Sequence, residues 1–372
     1  MSNLEVGTST QLPHVPKAGY TESWLGNVHV TPEEFNIASR AAWNKSGQAA
    51  YDFRSDYVTT PNAAMLLSIV HTSLLDEVMM EDPTTNSFQG FMAKLTGHEN
   101  SLLVLSGTMG NQVALRTALS FPPYGILCDS RRVKPSNNHH LTLEDVKRHV
   151  TLRDDVYDCP TRVISLENTL SGTIMPLQDV RAISNWARSL KPPIHTHLDG
   201  ARLWEAVAAG AGSLRDHASY FDSLSLCFTK GLGAPIESVV IGSGAFIKRA
   251  RLMRKMLGGG LRQAGVIAAP ARVAVEQIFL GGHLCTAQET PKRVSEHPTE
   301  INMIWLDPEA ARIDEEHFAH MAEKAWLKTM RGRLQGRLVV HYQIYERALQ
   351  YLEHLFIEML GEKRHKEPLG GT

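Results

Sequence analysis

The sequence predicts an α/β fold: a mostly parallel sheet covered by helices on both faces, followed by a smaller C-terminal α+β domain. Two observations carry this. Short apolar runs alternate with amphipathic helical stretches from about residue 100 onward, the pattern of parallel strands joined by crossover helices. The chain has 372 residues, more than one ordinary core requires, and its pattern changes after Gly282. The expected organisation is an N-terminal arm over 1–50, a large domain over 51–282 and a small domain over 283–372.

Each element follows from its local pattern. Residues 1–50 are rich in Pro, Thr and Asn and weakly patterned, an arm with one short helix near PEEFNIASRAAW. AAMLLSIVHTSLLDEV and SFQGFMAKLTG place apolar residues at helical spacing, so helices are expected over 63–78 and 87–97. SLLVL is a strand, SGTMG a turn, NQVALRTAL a helix and GILCD a strand. RVISLEN, IHTHLDG, SLSLCFT and ESVVIGS are the strands that follow, with LQDVRAISNWARSL, LWEAVAAGAG and the basic AFIKRARLMRKML as helices among them. TEINMIWLD, a long charged helical stretch, RLVVHYQ and a closing helix ERALQYLEHLFIEML make up the small domain.

Composition narrows the function classes. Hydrophobic residues make up 43% and charged residues 21%, with a formal net charge of -1, so nothing draws the chain toward nucleic acid or an anionic membrane. Cys128, Cys159, Cys227 and Cys285 are far apart with no C-x-x-C pair, which argues against a metal site or a disulfide framework and suits core thiols in a reducing compartment. No basic segment followed by an apolar one opens the sequence, and no run is long enough to span a bilayer, so a cytoplasmic location is expected.

In such a sheet ligands sit beyond the carboxyl ends of the strands, so polar residues just after strands carry the functional question. SLLVL leads into Ser106, Gly107, Thr108, Met109 and Gly110 at the mouth of a helix, where backbone N–H groups and hydroxyls suit a phosphate. IHTHLDGAR delivers Asp199 to a strand end with Arg202 three residues later. SLSLCFT delivers Lys230, after which GLGAP can continue neither strand nor helix. Each alone reads as a turn, a cap or a solvated side chain. Together they supply what pyridoxal phosphate chemistry needs: a lysine for a Schiff base, a carboxylate for the pyridine nitrogen and a phosphate cradle.

The stretches HLDGARLWEA, SLCFTKGLGAP, RKMLGGGLRQAG, FRSDYVTTP, EDPTTNSF and LSGTMGNQVAL resemble the threonine aldolase and β-eliminating lyase family, from about Tyr51 to the end of the chain. The resemblance implies a pyridoxal phosphate-dependent enzyme of the aspartate aminotransferase-like architecture, fold type I. It further implies a homodimer or homotetramer with active sites at subunit boundaries. Carried over by position, Lys230 resembles the Schiff-base lysine, Asp199 the partner of the pyridine nitrogen and Arg202 the contact to the phenolic oxygen. Gly107, Thr108 and Gly110 fall where the family binds phosphate, with Gly110 expected to allow close backbone approach. Ser55 and Arg337 match positions that hold the amino-acid carboxylate, a task suited to a planar guanidinium. Arg262 matches a family arginine near the phosphate, on a loop expected at the subunit interface.

The implied reaction cleaves a β-hydroxy-α-amino acid, threonine or allo-threonine, into glycine and an aldehyde. The same scaffold also supports an alanine-type racemase, a β-eliminating lyase or a catalytically impaired homologue. Two departures from the family pattern bear on this choice. Leu170 in ENTLSG stands where the family carries a histidine near the substrate hydroxyl, and leucine transfers no proton. After Asp129 the chain passes directly into VKPSNNHHLTLEDVK, without the segment that bears the family's ring-stacking residue. His139 and His140 are the nearest replacements, and their context reads as a loop leading into a helix.

Overall fold

The structure is a computed structural model that describes residues 46–119, 124–128, 133–285, 287–288, 299–311, 313–330 and 336–364. The helix expected near PEEFNIASRAAW and the junction at Asp129 lie outside them. The main sheet has six strands: β1 (Asn100–Val104), β2 (Gly125–Cys128), β3 (Thr161–Glu167), β4 (His195–Gly200), β5 (Ser223–Cys227) and β6 (Ser238–Gly242). Their order is β1-β6-β5-β4-β3-β2. Strands β2 to β5 pair in parallel, while β6 lies antiparallel between β1 and β5. Two antiparallel pairings in succession restore the direction, so β1 also runs with β2 to β5. The expectation of a mostly parallel sheet holds, and five strands open their carboxyl ends along one edge.

Helices cover both faces. α1 (Ala63–Val70) and α2 (Pro83–Thr96) precede the sheet; α3 (Gly107–Ala118) follows β1, and α4 (Leu143–His149) follows β2. α5 (Leu177–Ser189), α6 (Leu203–Ala208), α7 (Leu214–Ser219), α8 (Gly244–Met256) and α9 (Gly265–Ala274) come after. The central strands β5 and β6 are buried along their whole length, as strands covered on both faces must be. Leu102, Val104 and Val240 pack with α3 and α8 on one face, and Leu103, Val239 and Ile241 join the larger core on the other.

One expected helix ends early, and one helix that forms was not expected. The helix expected over 63–78 stops at Val70. Beyond it Ser73 bonds to Asp82 and Thr84, and Glu77 is buried against Arg251 and Arg254 of α8, so tertiary ion pairs override the local periodicity. α9 was hidden by Pro270, which sits inside it and removes one backbone donor; the helix then widens into a π turn over Val275–Phe279. The thiols also differ from expectation: Cys227 is buried, but Cys159, on a loop, and Cys285, in a helical segment, are exposed rather than in the core. All four cysteines are free.

A smaller unit contains the two-stranded antiparallel sheet β7 (Met303–Trp305) and β8 (Arg337–Val339), with α10 (Glu315–Lys324) and α11 (Glu346–Arg364). Its core of Ile304, Phe318, Leu338, Leu352 and Leu355 also takes in Phe53, from far earlier in the chain. Phe53 N–H donates to Lys328 O at 2.8 Å and Phe53 O accepts from Val339 N–H at 2.8 Å, so residues near 53 run along this unit's edge. Among the described residues, no helix is long and apolar enough to cross a membrane.

Candidate active site

The chemistry-bearing side chains gather where the parallel strands end. Asp199 near the end of β4 is in register with Glu167, the last residue of β3, and with Ser225 of β5. Asp199 Oδ2 accepts from Asn111 Nδ2 at 2.5 Å, and Oδ1 accepts from Ala201 N–H at 3.1 Å. Asn111, from α3, is itself held from behind. Its Oδ1 accepts from Ser225 Oγ at 2.6 Å and lies 3.1 Å from His197 Nε2, while His197 Nδ1 lies 2.9 Å from Ser223 Oγ. Burial pushes the His197 imidazole down to about 3, with His195 adding to the effect, so the ring is neutral. A neutral ring donating from Nε2 and accepting at Nδ1 satisfies each link, and it fixes the Asn111 amide with its NH2 toward Asp199. The Asp199 carboxylate keeps lone pairs for a further donor.

Arg202, three residues on, turns away from the strand and forks onto Asp56: Nε and Nη2 donate to the two carboxylate oxygens at 2.8 and 2.7 Å, and Nη2 also reaches Ser55 Oγ at 3.2 Å. Burial alone would push Asp56 up, but the Arg202 guanidinium outweighs it and holds the carboxyl below its ordinary range, with Lys230 helping. Arg202 answers in kind: burial disfavours its charge, yet Asp56 raises it above its ordinary value. This pair is a bidentate, charge-assisted contact, the strongest polar geometry at the site.

Lys230 heads the turn after β5. Gly231 N–H donates to Asp56 O at 3.1 Å, so the Asp56 backbone fastens the turn while its side chain fastens Arg202. Gly231 has φ +73°, and a Cβ there would lie 2.5 Å from Glu205 Oε1. Only glycine meets both conditions. Glu205 is fully buried below the turn, bonded to Gln288, and burial followed by Asp56 raises its carboxyl to about 8.

The phosphate cradle expected after β1 is present in outline. Ser106 caps α3 by accepting from Met109 N–H at 3.1 Å, which leaves the Gly107 and Thr108 N–H groups facing outward at the positive end of the helix. Ser238 Oγ, fully buried and without a partner among the described residues, lies 3.5 Å from where a Cβ on Gly107 would sit. Gly110 turns the other way. A Cβ on it would meet Val104, Val240 and Ser225 at 3.3 to 3.5 Å, so it sets how closely α3 lies on the sheet rather than lining the cradle.

The remaining sequence-predicted residues divide. Ser55 is brought to Arg202, and Arg337 donates from Nη2 to Arg54 O at 3.1 Å, with its Nε unpartnered. Burial and the nearby Arg202 lower the Arg337 guanidinium from its ordinary value. Arg262 is not brought to the cradle within one chain: its guanidinium pairs with Asp76 at the surface, although neighbouring Gly259 packs against Met109 of α3. His139 and His140 line a small cleft with Glu167, Leu170 and Thr173. Asp56, Asn111, His197, Glu205, Glu167 and Ser238 belong to the site and were not singled out from sequence. For Glu167 a signal existed: it is a polar residue at a strand end.

These residues fit pyridoxal phosphate. The open N-terminus of α3 and the orphaned Ser238 hydroxyl suit a phosphate, Asp199 has acceptor capacity for a ring nitrogen, and Lys230 offers an amine on the same edge.

Comparison with known proteins agrees. The β-eliminating lyase family matches residues 52–140 and 130–324. The chain is 46% identical to "Aldolase vrtJ" of Penicillium aethiopicum over 86% of this chain and 88% of that one. It is 37% identical to "Alanine racemase TOXG" of Cochliobolus carbonum, covering 86% and 90% of the two chains. It is also 37% identical to a "Low-specificity L-threonine aldolase" of Eremothecium gossypii, covering 83% and 87%. Among solved structures, a putative L-allo-threonine aldolase from Listeria monocytogenes shares the fold with a TM-score of 0.65 at 19% identity, over 88% of this chain and 99% of that one.

Proposed function

The chain belongs to the β-eliminating lyase family of pyridoxal phosphate-dependent enzymes, and from this footing we propose that it cleaves a β-hydroxy-α-amino acid, threonine or allo-threonine, to glycine and an aldehyde. The observation that carries the reading is the convergence of Lys230, Asp199, Arg202 and the open end of α3 on one sheet edge. Bound pyridoxal phosphate supplies an electron sink for charge developing at the substrate Cα.

The residues divide the work. Gly107 and Thr108 N–H groups and the Ser238 hydroxyl would hold the phosphate, with Gly110 contributing by seating α3. The Lys230 amine would anchor the cofactor's aldehyde. Asp199, oriented by Asn111, would keep a proton on the ring nitrogen, and Arg202, held by Asp56, would serve the phenolic oxygen. Ser55 and Arg337 receive the substrate carboxylate, the latter with its unpartnered Nε. In this division the protein supplies orientation and charge.

We further propose a homodimer or homotetramer. Leu74, Leu75 and Met79 are exposed beside α8, where Leu252 and Met256 are exposed too, and Glu77 N–H bonds to Arg262 O across this surface. An apolar patch of this kind suits a second copy, which would bring Arg262 to a neighbouring cradle. Sedimentation of the purified protein tests this.

The functional test is direct. Purified chain titrated with pyridoxal phosphate, reduced with borohydride and mapped by peptide mass is expected to carry the label on Lys230, and Lys230→Ala to carry none. Aldehyde release from threonine and allo-threonine, set beside chiral analysis of alanine and pyruvate release from serine, separates aldolase from racemase and β-eliminase. Racemisation of alanine without aldehyde release would favour the second reading, which the likeness to an alanine racemase supports.

A further inference from the structure

We propose that His197 is a positioning residue for the cofactor's ring nitrogen, acting through a one-way chain of hydrogen bonds that runs from His195 to Asp199; the role rests on the pyridoxal phosphate-binding reading of this site. His195, His197 and Asp199 alternate along β4 and so share one face of the sheet, the face on which α3 and α8 pack. His195, at the outer end, stacks on Phe246 of α8 with ring centres 5.2 Å apart. The chain steps from there to Ser223 of β5, back to His197, on to Asn111 of α3, and ends on Asp199.

Counting protons fixes its direction. Ser223 Oγ is fully buried and lies 2.8 Å from His195 Nε2 and 2.9 Å from His197 Nδ1. A hydroxyl has one proton to give, so it donates to one ring and accepts from the other. His197 is fully buried and neutral, so it too has one N–H, and its two nitrogens take opposite parts. Two directions obey these rules. The reverse one turns Asn111 Oδ1 onto the Asp199 carboxylate across the 2.5 Å that Nδ2 spans, acceptor against acceptor with no proton between them. The forward one remains: His195 Nε2–H donates to Ser223, Ser223 donates to His197 Nδ1, His197 Nε2–H donates to Asn111 Oδ1 at 3.1 Å, and Asn111 Nδ2–H donates to Asp199. Ser225 Oγ gives the same Asn111 oxygen a second donor at 2.6 Å.

The consequence reaches the cofactor. Asp199 meets a donor at each oxygen, Asn111 Nδ2 at Oδ2 and Ala201 N–H at Oδ1, so the plane of the carboxylate is fixed and a protonated ring nitrogen finds an acceptor that does not swing away. Without the His197 N–H, the Asn111 amide loses one of the two donors that forbid its oxygen from turning toward Asp199. Phenylalanine would fill the space of the His197 ring and make none of these links, so packing and positioning are separable.

The experiment titrates two ligands into the unmodified chain, His197→Phe and His197→Gln, read by tryptophan fluorescence: pyridoxal phosphate, and its carbocyclic analogue with C–H in place of the ring nitrogen. Glutamine restores an amide N–H close to the Nε2 position. His197→Phe is expected to weaken pyridoxal phosphate binding about ten- to a hundredfold and binding of the analogue less than about threefold, with His197→Gln recovering most of the loss. Histidine-15N NMR of the unmodified chain without cofactor is expected to show His197, assigned by its absence from either variant, as the Nε2–H tautomer from pH 5.5 to 9. An equal loss for both ligands marks a merely structural ring and overturns the proposal, as does an unchanged pyridoxal phosphate affinity in His197→Phe. The Nδ1–H tautomer overturns it too, a result that stands even where His197→Phe does not fold. An unmodified chain that binds no pyridoxal phosphate sinks the cofactor reading itself, and the role of His197 with it.

Discussion

Replacing Glu237 by glycine is expected to stabilise the protein. Glu237 lies just before β6 with φ +104°, a region that side chains rarely occupy, and it is 1% exposed with neither carboxyl oxygen hydrogen-bonded among the described residues. Relief of the backbone contributes about 1–3 kcal/mol, and removal of an unpartnered buried carboxyl about 1–3 kcal/mol more. Against this stand about 0.8 kcal/mol for each methylene withdrawn from the core and about 0.4–1 kcal/mol for the added freedom of the unfolded chain. The balance favours Glu237→Gly by about 2 kcal/mol near neutral pH.

The pH dependence makes this prediction specific. Burial, followed by the nearby Cys227, raises the Glu237 carboxyl well above the usual carboxylate range. The folded state therefore binds this proton more tightly than the unfolded chain does. That contribution is whole below the unfolded value of about 4.3 and is lost as pH rises through the folded one. The variant lacks the penalty, so its margin over the parent widens with pH, by up to about 1.4 kcal/mol per unit within that window. Urea unfolding at pH 5.5, 7 and 8.5, followed by tryptophan fluorescence with cofactor in excess, reads the margin. A variant less stable than the parent at every pH, or a margin that does not move with pH, would refute the reasoning.

Three further changes probe the site. Gly231→Ala meets both φ +73° and the Glu205 carboxylate, and is expected to cost at least about 2 kcal/mol in urea unfolding and to weaken cofactor binding; an alanine tolerated without loss would place the turn elsewhere. Asn111→Leu removes a donor to Asp199 and should weaken pyridoxal phosphate affinity about ten- to a hundredfold by fluorescence titration, and an unchanged affinity would count against the orienting role. Asp56→Asn leaves Arg202 buried without its countercharge, for an expected loss of about 3–5 kcal/mol. Because Asp56 is held below its ordinary value, its contribution is present above about pH 3.9 and fades as pH falls, so parent and variant should converge in acid unfolding.

The strand-end placement of Lys230, Asp199 and Arg202 was legible in the sequence because each follows an apolar run that reads as a buried strand, and strand ends in a parallel sheet are where ligands sit. Their partners were not legible. Asn111 and Asp199 are 88 residues apart and Asp56 and Arg202 are 146 apart, so their contact depends on strand order and register, which no local pattern encodes. Gly110 was placed correctly on its helix but not on its face: one turn of α3 separates groups that look outward from groups that look at the sheet. The overlong first helix and the missed α9 are failures of the opposite kind. There, ion pairs at Glu77 and the tolerance of a buried helix for Pro270 overrule local preference.

The short run from Tyr51 to Thr60 belongs to two bodies at once. Phe53 is sewn into the edge of the small unit through Lys328 and Val339, and a few residues later Asp56 grips both Arg202 and the turn of Lys230. Thr60 is pinned at the other end, its N–H and O each bonded to the side-chain amide of Gln343. The run is therefore a crankshaft, too short and too firmly journalled at both ends to absorb relative motion as slack. A displacement of the small unit would therefore reach Arg202 and the turn of Lys230 through Asp56 rather than die out in the connection.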